Sequence, residues 1–163
     1  IGSINAQTLF LDRKHRVWTT DDYGHLVRYD PEIDRLERSP FVLPHDPEFQ
    51  TGWHSVFYDV AASPEGDCVY AVTWIAAPRL MRIWPDDGDW PRVEDLGPAT
   101  QPRDSTIPKD TFVDHCGGFV FAGDRQLYFV ASRWRDPVYQ PMKDKPPARE
   151  GVVWRLNPAT LER

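Results

Sequence analysis

Short apolar runs alternate with polar turns along the chain, with a turn signal about every ten residues, and this pattern predicts β-strands. In the first part of the chain an apolar run at residues 9–12 leads through a polar turn to a second run at residues 17–20. The turn Asp-Asp-Tyr-Gly at residues 21–24 then leads into a third run, residues 25–31. The predicted unit is strand, turn, strand, turn, strand, which is typical of an antiparallel meander.

The same unit recurs twice further along the chain, at residues 58–85 and 119–158, and each copy closes on the motif Arg-x-x-Pro. In the first two copies a polar stretch after this motif leads to a fourth strand, residues 36–43 and 93–96, whereas the third copy ends before its own. Four antiparallel strands per repeat predict the blades of a β-propeller, in which neighbouring sheets pack face to face. A β-sandwich would explain the strand spacing but not the recurring unit.

We therefore expect an all-β fold, a partial β-propeller with three four-stranded blades. The expected blades are residues 5–44, 54–97 and 115–163, and the last of them lacks its fourth strand. Because a closed ring has ~4 to 8 blades, the chain is expected to be a fragment of a ring of about six or seven, or to close by oligomerising. The missing fourth strand favours the first alternative, in which the partners are the remaining blades of a larger parent chain.

Composition narrows the class of protein. The 16 prolines, 10 glycines and 7 tryptophans suit a chain of short strands and turns, and a hydrophobic content of 40% is enough for a core, which excludes a disordered tail. The net charge of −6, with basic residues scattered singly, argues against nucleic acid as a partner. No apolar run is long enough for a membrane span, and Cys68 and Cys116 are too few for a disulfide framework. The cellular location stays open.

Residues 12–31 read Asp, turn, Val-Trp, turn, Gly-x-Leu-x-Arg-Tyr-Asp-Pro. This segment resembles the blades of the streptogramin-lyase-like, gluconolactonase-like and NHL-type propellers, and also those of propeller polysaccharide lyases that act on uronate sugars. The resemblance implies the propeller fold. It says little about chemistry, because many functions share the same blade.

One edge of each predicted blade collects residues able to do chemistry. In an antiparallel meander the start of strand one, the end of strand two and the start of strand three lie at the same edge, and in a propeller strand one is nearest the central channel. Acidic, basic, imidazole and aromatic side chains fall at these positions. The candidate catalytic residues are Tyr23, His54, His115 and Arg133, and the candidate substrate-binding residues are Trp53, Trp74, Asp114 and Trp134.

This mixture suits a sugar acid, and we expect a lyase that cleaves a uronate-containing saccharide by β-elimination. Arg133 would form a bidentate ion pair with the uronate carboxylate and so make the neighbouring C–H group more acidic. His54 or His115 would take that proton, since imidazole titrates near neutral pH. Tyr23 would protonate the leaving oxygen, and the tryptophans would stack on the sugar rings.

Two other functions stay open from the sequence. The first is a non-catalytic propeller that binds a saccharide, another small molecule or a protein partner through the same edge. The second is a lactonase-like hydrolase, but the expected oxygen ligands of its metal are replaced here by His54, Asp114 and His115. A divalent metal held by these histidines stays an alternative, with no third ligand identified.

Several of these residues also have a purely structural interpretation. His54 and His115 can hydrogen-bond neighbouring backbone, and residues 21–24 form a competent hairpin turn on their own. Cys116 beside His115 lacks the third group that would orient a thiolate nucleophile. Two further sets are interpreted as structural, the tryptophans within the predicted strands as core and the arginines that recur in every copy as links to a neighbouring loop. These are Trp18, Trp84 and Trp154, and Arg28, Arg82 and Arg155.

Overall fold

The computed structural model describes residues 4, 8–45, 56–73, 78–99, 112–135 and 149–162, and for 112–115, 132–135 and 149–151 it describes the backbone alone. These residues form eleven strands and no helix, which confirms the all-β expectation. No helix in this part of the chain is therefore long and apolar enough to cross a membrane.

The strands form three antiparallel sheets in which chain order equals spatial order. Sheet 1 comprises β1 (Phe10–Leu11), β2 (Val17–Thr20), β3 (His25–Asp30) and β4 (Arg35–Val42). Sheet 2 comprises β5 (Phe57–Ala62), β6 (Val69–Thr73), β7 (Arg79–Trp84) and β8 (Arg92–Pro98). Sheet 3 comprises β9 (Phe112–Phe121), β10 (Leu127–Arg135) and β11 (Arg149–Leu156). The predicted meander, with four strands in the first two copies and three in the third, is confirmed for the described residues.

Asp12 organises the first hairpin from the turn between β1 and β2. Its Oδ1 accepts hydrogen bonds from the backbone N–H groups of Lys14 and Arg16, both at 2.9 Å. Its Oδ2 accepts from Nε of Arg16 at 2.6 Å and from Nε1 of Trp18 at 2.8 Å. The carboxylate is fully buried, and these four donors replace the water that it loses.

Sheet 2 lies between the other two sheets, and each of its faces is covered. Toward sheet 1, Val69, Ala71, Met81 and Ile83 pack with Phe10, Trp18 and Leu26. Toward sheet 3, Cys68, Tyr70, Val72 and Leu80 pack with Phe119, Leu127, Phe129 and Leu156. Because strand side chains alternate between faces, the apolar run of β6 supplies both layers. The protein therefore has two cores, one on each side of sheet 2.

The first strands of successive sheets are joined by side-chain hydrogen bonds. Oγ1 of Thr8 donates to the backbone carbonyl of Tyr58 at 2.7 Å. Oδ2 of Asp59 accepts from the backbone N–H groups of Gly118 and Phe119 at 2.5 and 3.0 Å. These bonds connect β5 to the residue Thr8 ahead of β1 on one side and to β9 on the other.

Two of the recurring arginines link neighbouring sheets, as predicted. Nη1 of Arg28 donates to the carbonyl of Asp89 in sheet 2 at 2.9 Å, and Nη1 of Arg82 donates to the carbonyl of Pro158 beyond sheet 3 at 3.4 Å. The other nitrogens of each guanidinium bind a glutamate opposite it in its own sheet. These pairs are Arg28 with Glu37 and Arg82 with Glu94. The structural interpretation is confirmed for Arg28 and Arg82.

The three tryptophans interpreted as core residues contribute to the two cores. Trp18 has no exposed surface, whereas Trp84 and Trp154 are partly buried against the core between sheets 2 and 3. The guanidinium of Arg28 lies 5.5 Å from the Trp18 ring centre and 5.0 Å from that of Trp90, which belongs to the next sheet. Arginine and tryptophan together therefore close the end of the layer between sheets 1 and 2.

Gly117 of sheet 3 lies close against Tyr58 of sheet 2, and its replacement is expected to push the two sheets apart. A Cβ at this position would lie 2.8 Å from Cε1 of Tyr58, closer than side chains pack. Gly117→Ala should lower the free energy of unfolding by about 1 to 3 kcal/mol. Gly123→Ala is the matched control, because nothing lies within 4 Å of its Cβ. Equal denaturation midpoints for the two variants would contradict the close packing.

Asp12 should contribute to the pH dependence of stability. Burial alone would raise its pKa, but the hydrogen bonds from Trp18 and Arg16 outweigh burial and hold the pKa below the ordinary value of 3.8. The contribution is therefore present above this value and is lost as the pH falls through the lowered pKa. Asp12→Asn should lower the free energy of unfolding by about 1 to 3 kcal/mol at neutral pH. As the pH falls below 4, the stability of this variant should decrease less than that of the unaltered protein. Urea unfolding over this range measures both, and parallel curves for the two proteins would refute the assignment.

Candidate functional site

The candidate edge of sheet 1 is the hairpin between β2 and β3. Asp21 is fully buried, and its Oδ1 accepts from the backbone N–H groups of Tyr23 and His25, both at 2.9 Å. Its Oδ2 lies 2.7 Å from Nε of Arg38 on β4. The Arg38 guanidinium lies 5.7 Å from the Tyr23 ring centre, and Tyr23 is 54% exposed. The hairpin therefore presents a phenol to solvent beside a paired cation.

His25 at the same hairpin has a structural role. Its Nδ1 lies 3.0 Å from the backbone carbonyl of Ser39, and the Oγ of Ser39 accepts from the N–H of Leu26. These contacts tie the start of β3 to β4 next to the register shift between His25 and Val27. The imidazole thus satisfies backbone groups of its own sheet.

The same edge of sheet 2 carries Arg79, the first residue of β7. Its Nε lies 3.1 and 3.0 Å from the two carboxylate oxygens of Asp95, and its Nη2 lies 2.6 Å from Oδ2. Its backbone N–H donates to Oγ1 of Thr73 at the end of β6. The three candidates predicted for this part of the edge lie outside the described residues. They are Trp53, His54 and Trp74.

The edge of sheet 3 brings four predicted residues together in the backbone register. Asp114 and His115 lie within β9, not ahead of it, because the pairing with β10 extends as far as Phe112 opposite Arg135. Arg133 is the cross-strand partner of Asp114, and Ser132 is that of His115, with Trp134 at the next position of β10. The start of β9 and the end of β10 therefore share an edge, as the meander predicts.

Arg38 and Arg79 are edge residues that the sequence interpretation did not select. Each arginine is held by a carboxylate of its own sheet, Asp21 and Asp95 respectively. Arg79 could have been found, because it begins a third strand, a position that belongs to the candidate edge. Arg38 lies on β4, and its approach to the hairpin depends on a register shift that no local pattern announces.

The opposite edge contains a crevice of about 460 Å³ between sheets 2 and 3. Cys68 lines it and stands two residues before Tyr70, as Arg16 stands two residues before Trp18 in sheet 1. Between sheets 1 and 2 the Arg16 guanidinium reaches the next sheet, with Nη2 3.5 Å from the carbonyl of Pro85. The shorter cysteine cannot fill the equivalent space, so the crevice stays open.

The charges at the mouth of this crevice are paired within the protein. Arg125 of sheet 3 forms an ion pair with Glu65 of sheet 2, and Oγ of Ser63 donates to Asp67 at 2.6 Å. In the residues that the structure describes, no group of three His, Cys, Asp or Glu side chains could hold a metal ion. We therefore attribute the crevice to packing, because the short Cys68 stands where sheet 1 has the longer Arg16.

Both cysteines are buried, and neither is expected to act as a nucleophile. Cys68 is 6% exposed and Cys116 is 2% exposed. Burial raises the pKa of the Cys68 thiol, and the Asp67 carboxylate beside it acts in the same direction. Both thiols should react with an aromatic disulfide reagent far more slowly in the native protein than in urea. Rapid native labelling of either cysteine, located by mass spectrometry, would contradict this assignment.

The relationship of this chain to known proteins gives no independent assignment. No protein-family model and no curated protein sequence matches it. Its fold class and its candidate edge therefore depend on the residues and contacts described above.

Proposed function

We propose that the chain forms three blades of a β-propeller. Three features support this proposal: the face-to-face packing of successive antiparallel meanders, the side-chain hydrogen bonds beside their first strands, and the arginine that links each sheet to the next. In a propeller the first strands converge on a central channel, and hydrogen bonds between neighbouring first strands fit that arrangement. The resemblance of residues 12–31 to propeller blades points the same way.

The function proposed for the candidate edge is β-elimination on a uronate-containing saccharide. The observation that carries it is the register of β9 and β10, which sets Arg133 opposite Asp114 and Ser132 opposite His115. Arg133 and Asp114 thus share one face at this edge, whereas strand alternation sets His115 on the other face, so the imidazole proposed to act with them is His54, which precedes β5 in the chain. These are the groups needed to bind a sugar carboxylate and to move the proton next to it.

In the proposed reaction, Arg133 pairs with the uronate carboxylate and stabilises the negative charge that develops when the adjacent C–H bond breaks. Of the two candidate histidines, His54 takes this proton, because His115 is on the face of β9 opposite to that of Asp114 and Arg133. The electron pair of the C–H bond forms a ring double bond as the bond to the leaving oxygen breaks. Tyr23 gives its phenolic proton to that oxygen and is half exposed, as this role requires. Trp53, Trp74 and Trp134 are the proposed stacking surfaces for the sugar rings.

The assay for this reaction is the absorbance of the unsaturated uronate product, with an oligogalacturonate as the substrate. Arg133→Ala and His54→Ala should each lower the rate at least 100-fold, the range lost with a charge-stabilising donor or an acid–base group. Arg92→Ala is the control, because Arg92 lies on the opposite edge in an exposed ion pair with Asp87. Unchanged turnover in both edge variants would refute the catalytic assignment.

A second candidate, a binding module without catalysis, is favoured by the pairing of the described edge cations. Arg38 and Arg79 each bind a carboxylate of the protein, so neither offers an unpaired cation to a substrate. Calorimetry with the same oligogalacturonate separates the two functions. A saturable heat of binding without any absorbance of unsaturated product would identify the binding module, provided that Arg133→Ala abolishes the heat. If neither signal is seen, both proposals are overturned.

A further inference from the structure

The outer face of sheet 3 exposes a group of large side chains that we call the leading face. It comprises Val120 on β9, Tyr128 and Val130 on β10, and Val153 and Arg155 on β11. Val153 is 69% exposed, Val120 is 55% exposed and Val130 is 48% exposed. Tyr128 is opposite Arg155 and Val130 is opposite Val153, so these four side chains share one face. The leading face is therefore a continuous apolar surface with an arginine at one end.

Sheets 1 and 2 carry the same residue positions, and in both of them the next sheet covers these positions. The equivalent aromatic and arginine pairs are Trp18 with Arg28, Tyr70 with Arg82, and Tyr128 with Arg155. Two residues further along the second strand, Val72 opposite Leu80 corresponds to Val130 opposite Val153. Val72 and Leu80 are fully buried against sheet 3. The leading face thus has the same residue register as the faces of sheets 1 and 2 that pack against the next sheet.

The outer face of sheet 1 carries the complementary surface, which we call the trailing face. It is the cross-strand row formed by Leu11, Val17, Tyr29 and Leu36. Leu11 is 58% exposed and Leu36 is 41% exposed. The equivalent row of sheet 2, Val69, Ile83 and Val93, packs against sheet 1. The trailing face therefore matches the surface that covers a leading face inside this protein.

Charge is complementary between the two outer faces. Arg28 and Arg82 each donate to a backbone carbonyl in the segment that follows the third strand of the next sheet. Arg155 is the equivalent cation of the leading face. The corresponding segment of sheet 1 is residues 31–34, which follow β3. It contains the exposed residues Glu32 and Asp34, and the half-exposed residue Asp30 directly precedes it. A sheet 1 docked on the leading face would thus bring acidic groups to Arg155.

We propose that a second copy of this chain packs head to tail, with the leading face of one copy against the trailing face of the other. Two such contacts join two copies into a closed ring of six sheets, within the ~4 to 8 blades of known propellers. The ring rests on the propeller proposed above, whereas the contact itself rests only on the two faces. Its occupant is a second copy because both complementary surfaces lie on this one chain.

Sedimentation equilibrium of the full chain and of two single-face variants tests the proposal. Val153→Asp places a carboxylate in the leading face, and Leu11→Asp places one in the trailing face. The unaltered chain should have twice the mass of one copy, and each variant alone should be monomeric, because every contact in its ring is blocked on one side. In an equimolar mixture of the two variants, one contact of each mixed pair joins two intact faces and the other joins two altered faces, so dimers should form again, but more weakly than those of the unaltered chain.

Val152→Asp is the matched control, because Val152 is also exposed but lies on the other face of β11, opposite Ala131. It should leave the dimer intact. Circular dichroism checks the fold of all variants, and Val153→Ser with Leu11→Ser repeats the test with neutral side chains. A monomeric unaltered chain, or a mixture that associates no more than either variant alone, would overturn the proposal. Loss of the dimer in Val153→Asp but not in Leu11→Asp would indicate symmetric pairing of two leading faces and would also overturn it.

The mass measurement is independent of the uronate assay. A dimer without elimination activity would retain the head-to-tail contact and refute the lyase. Elimination activity in a monomeric chain would support the lyase and refute the head-to-tail contact.

Discussion

Sheet 2 has to bury both of its faces, and the rest of the structure depends on this constraint. All five residues of β6 are buried, with Val69 and Ala71 toward sheet 1 and Tyr70 and Val72 toward sheet 3. A strand with two apolar faces is stable in water only between two other layers. The two cores, the links between first strands and the positions of both outer sheets follow from that requirement.

Arginine is the residue that suits the ends of these layers. In Arg28 and Arg82, Nε and Nη2 bind a glutamate of the same sheet while Nη1 reaches a carbonyl of the next one. The planar guanidinium can do both at once, and its flat face can lie on a tryptophan. A lysine ammonium has no fixed fork, so it would supply the charge without the alignment between sheets. The recurrence of arginine at this position is thus explained by geometry.

The strands and their order were predictable because turn residues and apolar alternation are local signals. The recurring arginines were predictable because a residue present once per copy has a role in each copy. The extension of β9 back to Phe112 was not, since this mixed polar segment forms a strand only through its pairing with β10. Asp59 gave no local signal either, because the amides that it binds are about 60 residues away. At the candidate edge, the pairings of Arg38 and Arg79 depend on register shifts that a sequence pattern does not reveal.

The bonds from Asp59 have a consequence for how the protein opens. Oδ2 of this residue on β5 holds two successive amides of β9, beside the point where the pairing of β9 with β10 shifts register. Those amides are thus bound by a carboxylate of the neighbouring sheet. Sheet 3 therefore cannot move away from sheet 2 without breaking both hydrogen bonds to Oδ2 of Asp59. Separation of the layers and fraying of β9 become one event, so this pair of sheets should open as a single cooperative unit.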